Sequence, residues 1–314
     1  MSIAKTVPIM RPNDGKEKDL ENDDLIGNYK YDGTYGVLFK EQLQVELWGR
    51  SWKNDFIPKH PHIGEELKNL PWDSCILSGE LCFFDKNGKD SFLTGLASLS
   101  TSEERGLVSK YVIFDILEAD GEDYTSVRYE DRINILSEIK NTEHVFVAPV
   151  YRGTEAKKAL FATCNEGIVL KHKDSYISDG RTSLWKKLKK LVSDDFWCIG
   201  LTKGTGRREA TFGAMLLAKK TGDKYKYNTG DIFTYVGKTS GFSDKHLAKY
   251  LKVLKPIKEG TLTISEPKTP KNRLPKNIQA MVYPDTLVEI KYQRWTEYDM
   301  LLMPRFIKER DDLV

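Results

Sequence analysis

A lysine stands two residues ahead of an Asp-Gly pair in Lys30-Tyr31-Asp32-Gly33, and Gly36-Val37-Leu38-Phe39 follows as an apolar stretch. Asp-Gly favours a tight turn, and the run after it reads as a strand. Such a turn holds an amine in a fixed place at the mouth of a pocket. A free lysine amine has a pKa of about 10.4 and is a nucleophile only once deprotonated. Desolvation or neighbouring positive charge would have to supply that condition. Four residues alone are a weak signal, so the rest of the chain has to carry the argument.

Strand-like and helical signals alternate from Gly27 to about Leu191, after a polar lead-in over residues 1–24 that reads as loosely ordered. Cys75 to Phe84 and Tyr111 to Leu117 are apolar and partly alternating, which predicts buried strands. Ile133, Leu136 and Ile139 have helical spacing within Tyr129 to Lys140, and Thr154 is placed to cap a helix through Leu160 and Phe161. The pattern then changes. Asp194–Leu201, Thr211–Ala218, Asp231–Val236, Thr286–Tyr292 and Arg305–Lys308 read as short strands. One amphipathic helix interrupts them, capped by Ser243, with Leu247, Leu251 and Leu254 on one face. Short strands around a single helix fit a small OB-type barrel. The expected fold class is therefore α+β, with one domain of antiparallel sheets and helices over residues 1–191 and a β-barrel OB-fold domain over 192–314. Five prolines and many lysines between Pro256 and Pro284 suggest a long projecting loop or ribbon.

With 314 residues, of which 39% are hydrophobic, the chain can bury two cores. Its net charge is only +3, so affinity for a polyanion must come from local patches. No segment resembles a signal peptide or approaches the roughly 18 apolar residues of a membrane span. The four cysteines, Cys75, Cys82, Cys164 and Cys198, form no Cys-x-x-Cys pair and read as reduced thiols of a cytoplasmic protein. His60-Pro61-His62 has no further ligands nearby and reads as a loop rather than a metal site.

Downstream of Lys30 the chain carries Ser78-Gly79-Glu80, Phe114-Asp115-Ile116-Leu117, Glu166-Gly167-Ile168-Val169-Leu170-Lys171, Trp185-Lys186-Lys187-Leu188-Lys189 and Pro304-Arg305-Phe306-Ile307-Lys308-Glu309-Arg310-Asp311-Asp312. With Lys30-Tyr31-Asp32-Gly33 first, the six segments resemble, in order, motifs I, III, IIIa, IV, V and VI of the covalent nucleotidyltransferases. The last two resemble those of ATP-dependent DNA ligases in particular. The resemblance runs from about Lys30 to Asp312.

The resemblance implies a nucleotidyltransferase (adenylation) domain followed by the OB domain, and it implies roles. Lys30 would attack the α-phosphorus of ATP to form lysyl-AMP. Glu80 would accept from the ribose hydroxyls, and Phe114 would stack on adenine, with Asp115 and Asn28 as lesser nucleotide-site candidates. Glu166 would bind Mg2+ or Mn2+, hard ions that take few protein carboxylates beside phosphates and water. Lys187 and Lys189 share one strand face. They would contact the α-phosphate, stabilise charge there and provide the positive field around Lys30. Arg50 resembles the arginine that engages the 5′-phosphate of the nick. Arg305 and Arg310 would engage the departing pyrophosphate, a task suited to a planar, always-charged guanidinium. The chain departs from the family pattern at Asn28 (usually Glu), Tyr35 (commonly Arg), Ser78 (usually Asp) and Leu313 (often Lys).

A minimal two-domain ATP-dependent DNA ligase is thus implied. It would act as a monomer on nicked double-stranded DNA, without a membrane, and would grip DNA through basic faces of both domains and the 256–284 segment. An mRNA-capping guanylyltransferase, an RNA ligase and a nick-binding protein with dead chemistry are the alternatives. The choice between ATP and GTP separates the first of these.

Overall fold

In a computed structural model the described residues are 2–91, 97, 99–222, 230–258, 262–265, 269–296 and 298–310. The chain forms two compact units, Met1–Lys190 and Leu191–Val314.

In the first unit the strands are β1 Met10–Asp14, β2 Leu25–Tyr29, β3 Thr34–Glu41, β4 Gln44–Gly49, β5 Ser74–Phe84, β6 Asp90–Ser91, β7 Val108–Ala119, β8 Glu122–Asp123, β9 Val145–Val147, β10 Val150–Tyr151, β11 Gly167–His172 and β12 Gly180–Lys189. The helices are α1 Pro61–Leu67, α2 Leu99–Glu104, α3 Tyr129–Leu136 and α4 Thr154–Thr163. One sheet runs β1-β12-β11-β2-β10 and the other β4-β3-β5-β7-β8, with β6 beside β5 and β9 beside β7. Most pairings are antiparallel, as expected, but β1–β12 and β7–β9 are parallel.

Strand β5 is buried on both faces, which explains its nearly unbroken apolar run. Leu38, Leu77, Tyr111 and Ile113 pack with Ile63 and Leu67 of α1 and Leu136 of α3. A second core joins Leu160 of α4 to Leu25, Ile168, Leu170 and Leu188. Asp115 lies beneath this architecture, paired through both carboxylate oxygens with the buried guanidinium of Arg132, at 2.7 and 3.1 Å. It ties α3 to β7 and does not line the cleft described below.

The lead-in is ordered where a loose segment was expected. Met10–Asp14 pairs with β12, and a 3-10 turn at Glu17–Glu21 buries Leu20. Local composition missed this because the strand's partner lies some 170 residues away, and a polar edge strand shows little of itself in hydropathy.

The second unit contains β13 Val192–Lys203, β14 Phe212–Lys220, β15 Ile232–Thr239, α5 Asp244–Val253, β16 Thr263–Ile264, β17 Ile278–Met281, β18 Leu287–Tyr292 and β19 Arg305–Glu309. Antiparallel pairing runs β15-β14-β13-β18-β19, and a parallel bridge from Ser240 to Arg305 joins the two ends. The result is a closed five-strand ring with the helix between its third and fourth strands, the OB arrangement. Ser243 caps α5 by accepting from the His246 amide. The buried face of α5 is Leu247 and Tyr250 with Leu254 beyond the helix, whereas Leu251 is exposed. The i, i+3, i+7 set uses Tyr250 where Leu251 was expected.

The described part of 256–284 is no projecting loop. β16 pairs with β15 and β17 with β13. Leu262, Ile264, Leu274, Ile278 and Met281 pack on Trp197, Ile199, Leu216 and Phe233 of the barrel. Prolines and lysines dominate the composition, but the widely spaced apolar residues are enough to fasten the segment down. Lys268 and the side chain of Lys271 lie outside the described residues.

Candidate active site

Three adjacent strands form the floor of a cleft of about 310 Å³ in the first unit. Register aligns Asn28 with Val169 and Lys187, and two residues on it aligns Gly167 with Lys189. The Lys30 amide donates to the Gly167 carbonyl at 3.0 Å and extends that second row. Because side chains alternate along strands, Asn28 and Lys30, like Lys187 and Lys189, reach the same face. The other sheet supplies Glu80 from β5, Tyr35 from β3, Phe114 from β7 and Arg50 just after β4.

Two glycines make the assembly possible. A Cβ on Gly33 would lie 2.4 Å from the Leu81 carbonyl and 2.9 Å from Glu80 Cγ, so the turn after Lys30 can rest on β5 only without a side chain. Gly167 has φ +148, and a Cβ there would come within 2.1 Å of the Leu188 carbonyl. That close approach places Glu166 beside the end of β12.

Lys30 Nζ donates to Glu166 Oε1 at 2.5 Å, and Lys189 Nζ lies 3.7 Å from the same oxygen. Glu166 is 6% exposed, and its Oε2 is buried with no hydrogen-bond partner. An anionic oxygen in that state is costly unless a cation completes it. A hard divalent ion fits this donor. Lys187 pairs at 3.2 Å with the exposed Asp14 of β1.

Burial pushes the Glu80 carboxyl up to about 7, opposed by Lys30 and Arg50. Asn28 is buried and committed: its amide donates to the Pro149 carbonyl at 3.0 Å and accepts from the Tyr129 hydroxyl at 2.8 Å. The two substitutions at Tyr35 and Ser78 meet, with 2.9 Å between their hydroxyl oxygens, and the Arg50 guanidinium lies 5.1 Å from the Tyr35 ring centroid.

Lys171, on β11, has no role among those the motif resemblance implies. It is 2% exposed and donates to the Phe114 carbonyl at 3.1 Å. Its Nζ lies 4.3–4.6 Å from the ring centroids of Trp185, Phe114 and Tyr129. Burial brings its amine down to about 7, with Asp115 opposing. Arg11 and Arg181, from β1 and β12, also line the cleft. A hint of the Lys171 site lay in the aromatic residues around it, but their convergence needs the register. Nothing local marked Arg11.

Arg305 and Arg310 belong to the second unit. Arg305 is exposed on β19, and Arg310 Nη1 donates to both carboxylate oxygens of the buried Asp195, each at 3.0 Å. His62 packs its ring against His144 at 4.6 Å near the start of α1, and no cluster of three or more metal-ligating His, Cys, Asp or Glu occurs among the described residues. All four cysteines are buried free thiols.

Residues 11–189 match the family model of the ATP dependent DNA ligase domain, and residues 208–313 match that of the ATP dependent DNA ligase C terminal region. The chain belongs to the ATP-dependent DNA ligase family. A DNA ligase of Sulfolobus acidocaldarius is 29% identical over 291 residues, covering 85% of this chain and 46% of the relative. A DNA ligase of Thermococcus fumicolans is 27% identical, covering 99% of this chain and 57% of the relative. This ligase-family chain spans about half the length of the curated relatives it matches. Among solved structures, the ligase domain of M. tuberculosis LigD superposes with TM-score 0.52 at 22% identity, covering 97% of this chain and 95% of that one. A Lig E DNA ligase described as binding DNA with a minimal scaffold gives TM-score 0.59 at 15% identity, covering 98% and 100%. These likenesses concern the fold. No helix among the described residues is long and apolar enough to cross a membrane.

Proposed function

We propose that this ligase-family chain seals 5′-phosphate/3′-hydroxyl nicks in duplex DNA using ATP, and that Lys30 carries AMP between the two substrates. The observation that supports this reading most is the convergence of Lys30, Glu80, Phe114, Lys187 and Lys189 on one cleft, with Glu166 on Lys30.

In the first step the Lys30 nitrogen attacks the α-phosphorus. A P–N bond forms, the bond to the bridging oxygen breaks, and pyrophosphate leaves with that electron pair. Glu166 Oε1, 2.5 Å from Lys30 Nζ, is the acceptor in reach for the proton the amine gives up as it attacks. Lys187 and Lys189 neutralise charge that builds on the phosphoryl oxygens. Phe114 offers a ring face to adenine, and Glu80 accepts from ribose hydroxyls. Glu166 would hold Mg2+ or Mn2+, which supplies Lewis-acid polarisation of a phosphate oxygen. In the second step the 5′-phosphate of the nick takes AMP from Lys30. In the third the 3′-hydroxyl attacks that phosphate and AMP leaves. Residues 1–190 act as the adenylation domain and residues 191–314 as the OB domain, where Arg305 and Arg310 serve the departing pyrophosphate. Arg50 and Arg11 at the cleft rim suit the DNA end, and a monomer suffices.

Incubation with a nicked duplex, ATP and magnesium tests this reading. Sealed strand with ATP but not GTP is expected. Labelling by GTP alone would instead favour a capping-type guanylyltransferase, and sealing restricted to RNA strands would favour an RNA ligase.

A further inference from the structure

Asp90 is 4% exposed and reaches both sides of the nucleophile. Its Oδ1 accepts from the Tyr29 hydroxyl at 2.7 Å, and its Oδ2 accepts from the Asp32 amide at 2.8 Å. Tyr29 immediately precedes Lys30, and Asp32 is two residues after it. One carboxylate therefore brackets the segment that carries the proposed nucleophile.

A short hairpin delivers it. After β5, the Asp85 carboxylate accepts from the amides of Asn87 and Lys89 at 2.8 and 2.9 Å, and Gly88 takes φ +75. The chain turns back so that Asp90 lies opposite Phe84. The same β5 carries Glu80 and supports the Gly33 turn. Aromatic packing holds the segment as well: Tyr31 lies 4.8 Å from Tyr29 and 6.2 Å from both Phe84 and Phe146, measured between ring centroids. Burial and the Asp90 carboxylate raise the Tyr29 hydroxyl far above its ordinary value, so it remains a donor.

We propose that Asp90 is a positioning residue that fixes the Lys30 backbone in the geometry for attack. The inference rests on Lys30 being the nucleophile. Fixing the turn matters most where Lys30 itself forms or breaks a bond, because a misplacement of about 1 Å can cost about 10²-fold in rate. Sealing of a nick that already carries 5′-AMP forms no bond to Lys30 and should depend little on Asp90.

The test measures Asp90→Ala, Asp90→Asn and Tyr29→Phe in single-turnover labelling with ATP, in sealing of a pre-adenylylated nick, and in thermal melting. Labelling by Asp90→Ala is expected to slow by about 10²-fold with KM for ATP nearly unchanged. Asp90→Asn keeps one acceptor and should fall between Asp90→Ala and wild type, and Tyr29→Phe should resemble Asp90→Asn. Pre-adenylylated sealing should stay near wild type in all three. Unchanged labelling in Asp90→Ala would overturn the proposal. Labelling and sealing that fall together, in step with Tm, would also overturn it and make Asp90 a scaffold residue. Failure of the wild type to label at Lys30 would instead defeat the underlying reading, whatever Asp90 does.

Discussion

Lys30 Nζ and Glu166 Oε1 are 2.5 Å apart, the tightest ion pair in the cleft. The pair joins two elements 136 residues apart and leaves the second Glu166 oxygen buried without a partner. A site built this way keeps its nucleophile docked against the group proposed to hold the metal.

Glu166→Ala should therefore reduce AMP labelling by about 10²-fold or more, the scale lost when a charge-stabilising group is removed from a reacting centre. Raising magnesium should not restore it. Labelling rates across a magnesium titration check this, and full rescue at high magnesium would place the ion elsewhere.

Lys171 yields a pH signature. Its folded-state amine sits near 7, below its unfolded value. Between about 7 and 10.4 the unfolded chain binds a proton there that the folded chain lacks, so this group makes stability rise with pH across that window. The slope reaches about 1.4 kcal/mol per pH unit at full one-proton linkage. Lys171→Met should remove that contribution, so the stability difference between variant and wild type shrinks as pH rises. Urea melts of both proteins from pH 7 to 10 measure it, and a constant difference would refute it.

The 256–284 segment should act on the barrel before it acts on DNA. Leu274 packs on the apolar cluster around Trp197 and Phe233, and truncating a partly buried leucine costs about 2 kcal/mol. Leu274→Ala should lower the melting temperature of the second unit. An unchanged melt with weakened nick binding would restore the reading of a free, DNA-gripping loop.

Much of this architecture was legible before any coordinates. The strands around Cys75–Phe84 and in the barrel follow from apolar or alternating runs within each segment, even where the partner is distant in sequence, as β18 is from β13. Lys30, Glu166 and Lys189 were legible through motif order, because chemistry restricts which residues can stand there. Lys171 and Asp90 were not legible. A lysine ending a strand and an aspartate after an Asn-Gly turn both look solvated, and it is their long-range partners that bury them: β2 beside β11 for Lys171, and the Tyr29–Asp32 segment against Asp90. Residues 10–14 failed for the same reason.

Arg310 carries a choice between two roles. Its guanidinium grips Asp195 within the barrel, and removing one partner of a largely buried pair destabilises. If Arg310 also serves the leaving pyrophosphate, Arg310→Ala should lose labelling by ATP yet still seal a pre-adenylylated nick at temperatures where it remains folded. Arg310→Lys keeps the charge but loses the planar fork, and should show the same split with a smaller loss of Tm. Equal activity of wild type and both variants in labelling would confine Arg310 to the barrel.

The most direct test is the site of the covalent nucleotide. Wild type incubated with ATP and magnesium, then digested and mapped by mass spectrometry, should carry one AMP on the peptide containing Lys30 through an acid-labile P–N bond. Lys30→Ala should carry none while melting like wild type. AMP on any other residue, or retained labelling in Lys30→Ala, would contradict the account.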